Sequence, residues 1–127
     1  MKKFYIMFMV LIGSLPFSAC SLQNGKYESI SIAEAKKLMD TENDYIILDV
    51  RTKEEYNEGH IPNALLLPNE EIKNKAESVL KNKNQLILVY CKSGRRSKEA
   101  SNTLASLGYT NIKEFGGIID WPYDIEK

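Results

Sequence analysis

Two kinds of hydrophobic pattern alternate along this chain. Nearly continuous apolar runs at residues 45–50 and 86–90 are typical of parallel strands that are covered on both faces. Weaker strand signals lie at residues 27–30, 64–67 and 111–115. Apolar residues with helical spacing fill the intervals, at residues 31–39, 53–58, 69–80 and 97–107. The alternation predicts an α/β fold, an open parallel sheet of about five strands with helices on both faces.

Small polar residues and glycines mark the ends of the predicted helices. Ser31 and Asn69 precede helical patterns and are suited to cap them, and residues 52–55 match a capping box. Gly59 and Gly108 stand where two helices end, Gly108 at a position that favours a left-handed residue. Ligands of such folds bind beyond the carboxyl ends of the strands, so residues that follow a strand are the first candidates for a site.

The segment after the second apolar run carries the strongest chemical signal. Cys91 ends the strand, and residues 92–97 contain one glycine, one lysine and two arginines. The chain has fourteen lysines but only three arginines, and two of these, Arg95 and Arg96, lie here. Backbone N–H groups and a helix dipole converge at such a place, which lowers the pKa of a thiol and produces a nucleophilic thiolate. The alternative is a buried structural cysteine followed by a solvated basic turn.

The first residues predict a targeting segment. Lysines at positions 2 and 3 precede a hydrophobic run at residues 4–15 and a zone of small residues, as in a secretory signal peptide. Residues 18–20 resemble a bacterial lipoprotein box, in which Cys20 becomes the lipidated first residue of the mature chain, although Phe17 departs from that pattern. We expect cleavage of residues 1–19 before Cys20; plain secretion and an uncleaved anchor are the alternatives.

The remaining chain is then short and nearly neutral. Residues 20–26 form a polar tether, and residues 27–127 form one domain. Loss of the two signal lysines leaves a net charge of −2, which argues against a nucleic-acid binder. One histidine and two cysteines cannot make a zinc site, and we expect no cofactor. If Cys20 is lipidated, Cys91 is the only thiol left in an exported protein that is either membrane-anchored or periplasmic.

Four separated motifs lie along the chain, at residues 48–56, 59–64, 90–97 and 107–121. On these motifs the chain resembles the rhodanese family of sulfurtransferases, and in particular its single-domain exported members of the phage-shock type. The resemblance covers nearly the whole mature chain. The family usually has glycine where Asn63 stands, a residue that also tolerates a left-handed conformation.

The resemblance implies a transfer in two steps. The Cys91 thiolate takes the outer sulfur of a donor such as thiosulfate or a persulfide, and an acceptor, cyanide or a thiol, then removes it. N–H groups from Lys92 to Ser97, Ser93 included, would cradle the sulfur, and Gly94 would let the loop curl. The cations Lys92, Arg95 and Arg96 would attract an anionic donor, and we expect only one of the two arginines to face the pocket.

Three further residues are predicted to support the site. Asp49, at the end of a strand, would hold a neighbouring loop by hydrogen bonds. Arg51 follows the same strand and would pair with Glu54 or Glu55. His60, the only histidine, would fix a loop rather than act as a base, because a thiolate needs none.

Other functions remain open. Cysteine-dependent phosphatases and arsenate reductases have a similar loop, but with arginine at the sixth position after the cysteine, where this chain has Ser97. A rhodanese-like domain that only binds a partner or carries sulfur is the second alternative. No exposed apolar helix face is predicted, which favours a monomer.

Overall fold

The structure is a computed structural model that describes residues 26–127. The predicted signal segment, the lipidation site at Cys20 and all but the last residue of the predicted tether lie outside the described residues. Within residues 26–127, none of the helices has the length and apolar character needed to cross a membrane.

Strands and helices alternate as the hydrophobic pattern predicts. The strands are β1 (Glu28–Ser29), β2 (Tyr45–Asp49), β3 (Leu65–Leu66), β4 (Leu86–Cys91) and β5 (Ile112–Gly117). The helices are α1 (Ile32–Thr41), α2 (Lys53–Glu58), α3 (Ile72–Val79) and α4 (Arg95–Ser106). Two short 3-10 turns, Asn69–Glu71 and Ile118–Asp120, precede α3 and follow β5.

The five described strands form one parallel sheet in the order β1-β5-β4-β2-β3. Strand β4, the most apolar, therefore lies at the centre and is buried along its whole length. Residues of α3 and α4, such as Ala76 and Leu104, pack on one face, and Ala35 of α1 packs on the other. The predicted fold class, a parallel α/β sheet with helices on both faces, is confirmed.

Two of the predicted helix starts are wrong. Helix α4 begins at Arg95 rather than at Ser97, because Gly94 adopts a left-handed conformation (φ 119°) and takes the N-cap position. Asn69 does not cap a helix; it opens a 3-10 turn after Pro68, and its side-chain amide donates to Glu99 Oε1 at 2.9 Å. The predicted capping residues Ser31 and Thr52 do form reciprocal capping boxes.

Candidate active site

Cys91 lies at the carboxyl end of the central strand, with only 1% of its surface exposed. The chain then turns through three residues into helix α4. The N–H group of Gly94 donates to Cys91 Sγ at 3.0 Å, and the hydroxyl oxygen of Ser97 lies 3.5 Å from the same sulfur. The short loop and the first turn of α4 thus surround the thiol with polar hydrogens, as the sequence predicts.

The environment of Cys91 favours its ionised form. Burial alone would raise the pKa of the thiol, but hydrogen bonds from the Ser97 hydroxyl and from the N–H groups of Ser97, Gly94 and Ser93 outweigh it, and the pKa is lowered. The twelve-residue helix α4 also directs its positive end toward this region. An environment of this kind is typical of reactive cysteines and not of inert core residues.

Two glycines shape the loop around Cys91. Gly94 has a positive φ of 119°, which a side chain would strain. Gly117 in β5 is needed for a different reason: a Cβ atom there would lie 1.9 Å from the carbonyl oxygen of Lys92. The same carbonyl accepts a hydrogen bond from the N–H of Ile119 at 3.1 Å. Strand β5 and the turn after it therefore pack against the loop at Lys92. The sequence analysis missed this contact, although the pair Gly116-Gly117 stands at the position concerned.

The two arginines have different surroundings. Arg95 is exposed and pairs with Glu99 at 3.1 Å on the surface of α4. Arg96 is half-buried and donates two hydrogen bonds, of 2.7 and 3.0 Å, to the carboxylate of Glu55 in α2. Those bonds lower the pKa of Glu55 to about 2. The pKa of Arg96 is raised, first by the same bonds and further by the negative charges of Glu55 and Cys91. Arg96 is thus the arginine that is coupled to the thiol.

The remaining loop residues, Lys92 and Ser93, are exposed beside the site. Within residues 26–127, no hydrogen bond fixes their side chains, or that of Arg95, on Cys91. A role for these residues in binding a substrate stays a prediction.

Asp49 and Arg51 form a buried network behind the loop. The predicted pairing of Arg51 with Glu54 or Glu55 is wrong. Its guanidinium donates instead to Asp49, at 2.7 Å for the shortest contact, and to the carbonyl of Gly59. The hydroxyl of Tyr90 also donates to Asp49, at 2.5 Å, and accepts the N–H of Ile61. Arg51 is buried, so it needs a buried carboxylate, whereas Glu55 is taken by Arg96.

His60 lies away from the thiol, in the segment between α2 and β3. Its ring stacks on Tyr56 with 3.8 Å between centroids, and Nδ1 is 2.9 Å from the carbonyl oxygen of Tyr56. Its backbone exchanges two hydrogen bonds with Glu126. These contacts join the loop to the last residues of the domain.

A buried carboxylate that the sequence analysis missed lies next to Ser97. Glu114 of β5 is 1% exposed, and its Oε2 accepts the Ser97 hydroxyl at 2.8 Å and the Gly116 N–H at 2.7 Å. The sequence contained a signal for this residue, because Lys113 and Glu114 are adjacent in a predicted strand. Successive side chains of a strand point to opposite faces of the sheet, so two neighbouring charged residues in a sheet covered by helices place a charge on each covered face. The Ser97 hydroxyl therefore lies between the Cys91 sulfur and a buried carboxylate.

Comparisons with known proteins identify the family. Residues 31–122 match the rhodanese-like domain family. Thiosulfate sulfurtransferase PspE of Escherichia coli is 36% identical over 73 residues, 58% of this chain and 70% of that protein. A sulfurtransferase of Allochromatium vinosum is 38% identical over 88 residues, 68% of this chain and 79% of that protein.

A solved structure of similar fold is also found. The crystal structure of a rhodanese-related protein from Thermoplasma volcanium superposes with a TM-score of 0.68 at 30% identity, covering 79% of this chain and 98% of that one. The nucleophile loop, the parallel sheet and these matches lead to one conclusion: the chain belongs to the family of rhodanese-like sulfurtransferases.

Proposed function

We propose that this protein is a thiosulfate sulfurtransferase, which moves a sulfane sulfur from a small donor to a thiophilic acceptor through a persulfide on Cys91. The observation that carries the proposal is the hydrogen bond from the Gly94 N–H to Cys91 Sγ, 3.0 Å long, in a loop that lowers the pKa of the thiol. Such a loop supplies a nucleophile and a cradle for one further sulfur atom.

The chemistry takes two displacements at sulfur. The Cys91 thiolate attacks the outer sulfur of thiosulfate, the sulfur–sulfur bond breaks, and sulfite leaves with the bonding electron pair. The terminal sulfur of the persulfide then carries the negative charge. In the second step cyanide or a thiolate attacks that sulfur, and the Cys91 thiolate is the leaving group.

The burial of Cys91 favours a small donor. Because the residue is only 1% exposed, a donor reacts through a terminal atom that enters the loop. The N–H groups of Ser93, Gly94 and Ser97, which lower the pKa of the thiol, are placed to stabilise a second sulfur in the same way.

The phosphatase alternative finds less support. Cysteine-dependent phosphatases hold the transferred phosphoryl group with an arginine, whereas Arg96 already directs two hydrogen bonds to Glu55. Arg95 points to the surface. The loop therefore offers N–H groups and one neutralised cation, which suits a sulfur atom better than a phosphate dianion.

The test is thiocyanate formation from thiosulfate and cyanide, with Cys91→Ser as the comparison. We expect activity in the wild type and none in the variant; equal rates would contradict the proposal. Intact mass after incubation with thiosulfate should show one added sulfur in the wild type only. Persulfide formation without turnover toward cyanide or thiols would instead indicate a sulfur carrier.

We also propose that the protein is exported and anchored to a membrane through lipidated Cys20. The support is the pattern of residues 1–20, a basic start, a short apolar run and small residues before the cysteine. Full-length wild type should fractionate with membranes, and Cys20→Ala should be released. A variant that stays with the membrane fraction would contradict the lipid anchor.

A further inference from the structure

The buried carboxylate of Glu114 has no part in the proposed reaction. Only the hydroxyl oxygen of Ser97 lies between it and the sulfur of Cys91. Ser97 Oγ lies 3.5 Å from Cys91 Sγ and 2.8 Å from Glu114 Oε2. All three side chains are buried, with 1% or less of each residue exposed. In a buried setting two negative charges this close affect each other strongly.

The contacts of Glu114 suit an anionic carboxylate. Its oxygens accept from the hydroxyls of Ser29 and Ser97, both at 2.8 Å, and from the N–H of Gly116 at 2.7 Å. The ammonium of Lys98 lies 3.6 Å away. Each of these neighbours is a donor or a cation, and the anionic form of a carboxylate is the one that only accepts hydrogen bonds.

The Ser97 hydroxyl cannot serve all of its neighbours. It has one hydrogen, whereas three oxygens accept it: Glu114 Oε2 at 2.8 Å, the carbonyl of Gly94 at 2.9 Å and the carbonyl of Gly116 at 3.4 Å. Cys91 Sγ, 3.5 Å away, becomes a fourth acceptor when the thiol is ionised. A charged carboxylate at the shortest distance is the strongest of these acceptors. While the hydrogen points to Glu114, Ser97 presents a lone pair to the sulfur, which suits a neutral S–H group and not a thiolate.

We infer that Glu114 is a positioning residue that acts through Ser97 and opposes ionisation of Cys91. When the thiol ionises, the S–H bond breaks, its electron pair stays on sulfur and the proton goes to water. The Ser97 hydrogen then turns from Glu114 to Sγ, and Glu114 keeps the Ser29 and Gly116 donors. In the persulfide Sγ carries no charge, so the Ser97 hydrogen returns to Glu114.

This arrangement has a consequence for the two half-reactions. Glu114 disfavours the thiolate form of Cys91 relative to the persulfide form, in which the charge has moved to the outer sulfur. The carboxylate therefore shifts the equilibrium between thiolate and persulfide toward the persulfide. The inference rests on the proposed function only in taking Cys91 as the reacting group.

The test is a pH titration of the thiolate absorbance near 240 nm on the purified full chain with Cys20→Ala, which leaves Cys91 as the one thiol of the sequence. The absorbance reads that thiol whether or not sulfur is transferred. In Glu114→Gln the midpoint should fall by about one pH unit. In a Ser97→Ala background the same substitution should shift it by less than half as much, because the connecting hydroxyl is gone.

The controls separate this role from a structural one. Ser29→Ala removes another partner of Glu114 but leaves the Ser97 contact, so the midpoint should not fall. Glu99→Gln removes an exposed carboxylate of α4 and should leave the midpoint unchanged. The other charged groups near the site, Arg96, Lys98, Glu55 and Glu70, stay the same in every variant.

Each outcome decides the inference. An unchanged or higher midpoint in Glu114→Gln would overturn it, and so would equal shifts with and without Ser97, which would indicate a charge effect that needs no hydroxyl. If Glu114→Gln does not fold, Glu114→Asp keeps the charge but withdraws it from Ser97, and its midpoint should also fall. A midpoint that falls in a protein without thiocyanate activity would support the inference while contradicting the proposed function.

Discussion

Arg96 and Glu55 form a two-bond ion pair beside the nucleophile, with nitrogen–oxygen distances of 2.7 and 3.0 Å. The pair joins the first turn of α4 to the first turn of α2, across 41 residues of sequence. Arg95, one position earlier, points about 100° away around the helix and pairs with the exposed Glu99. The two neighbouring arginines therefore have different parts in the site.

Replacement of Arg96 should affect catalysis much more than replacement of Arg95. We expect Arg96→Ala to lower kcat/KM for thiosulfate by about tenfold or more, because it removes the cation that is coupled to Cys91 and leaves Glu55 unpaired beside the site. Arg95→Ala is the matched control and should stay within about twofold of the wild type. The measurement is steady-state thiocyanate formation; equal losses in the two variants would contradict this assignment.

The same ion pair should make stability depend on pH in the acid range. The folded pKa of Glu55 is about 2, below its ordinary value of 4.5, so the stabilisation is complete above 4.5 and is lost as the pH falls from 4.5 toward 2. Glu55→Gln preserves the capping box with Thr52 but removes the charge. It should cost about 1–2 kcal/mol at pH 7, allowing for solvent screening.

Chemical denaturation of the wild type and Glu55→Gln at pH 7 and near pH 2.5 measures this effect. The difference in unfolding free energy should shrink at the lower pH. A difference that is the same at both values would show that the carboxylate charge does not stabilise the fold.

Gly117 should not tolerate even one methyl group. Its backbone is extended, with φ −145°, so alanine meets no conformational strain there, but its Cβ would lie 1.9 Å from the Lys92 carbonyl oxygen. Gly117→Ala must push the nucleophile loop away from β5, and we expect loss of persulfide formation together with about 1–3 kcal/mol of stability. Intact mass after thiosulfate treatment and thermal unfolding are the measurements.

Gly108→Ala is the matched control for Gly117→Ala. It should also lower the stability of the fold, but Gly108 does not contact the loop at residues 92–94. Gly108 has φ 97° at the end of α4, where alanine costs about 1–2 kcal/mol of backbone strain. This variant should still form the persulfide. If Gly117→Ala also formed it at the wild-type rate, the close approach of β5 would not be needed to shape the loop.

Tyr90→Phe should lower the free energy of unfolding, because it removes a hydroxyl from the buried network of Asp49 and Arg51. The Tyr90 hydroxyl joins Asp49 and the N–H of Ile61, and its removal leaves both without that partner in a buried site. Burial and the Asp49 charge raise the pKa of Tyr90, so the phenol stays a donor throughout the physiological range. We expect a loss of about 1–3 kcal/mol in urea denaturation.

The exposed Tyr123 provides the comparison for that substitution. Tyr123 is 42% exposed, and Tyr123→Phe should change the unfolding free energy by less than about 0.5 kcal/mol. Equal effects of the two substitutions would mean that the buried hydroxyl contributes nothing specific.

The order of strands and helices could be predicted from local patterns because each pattern belongs to one element. The run from Leu86 to Tyr90 is apolar at every position, as a central strand covered on both faces must be. The residues Ser31 and Thr52 identified helix starts through contacts that span three residues. The prediction that Asn69 caps a helix was wrong. Asn69 lies in a 3-10 turn, and its side-chain amide donates to Glu99, a residue far along the chain.

Within the site, Cys91 and its short loop could also be identified from the sequence. A thiol between a buried strand and a helix start is a local arrangement, and the N–H groups that lower its pKa belong to the residues that follow it. The partner of Arg51 was predicted wrongly because nearness in sequence does not decide which carboxylate is buried with it. Asp49 is buried with Arg51, whereas Glu55 points to α4.

The sequence by itself determined the α/β architecture, the nucleophile and the family, since these depend on periodicity and on motifs whose residues are close together. Only the tertiary structure decided that Arg96 pairs with Glu55, that Glu114 meets Ser97 and that Gly117 lies against Lys92. Those contacts join different elements, and their distances depend on how strands and helices pack. The charge and the shape around Cys91 are therefore properties of the folded sheet and not of the loop alone.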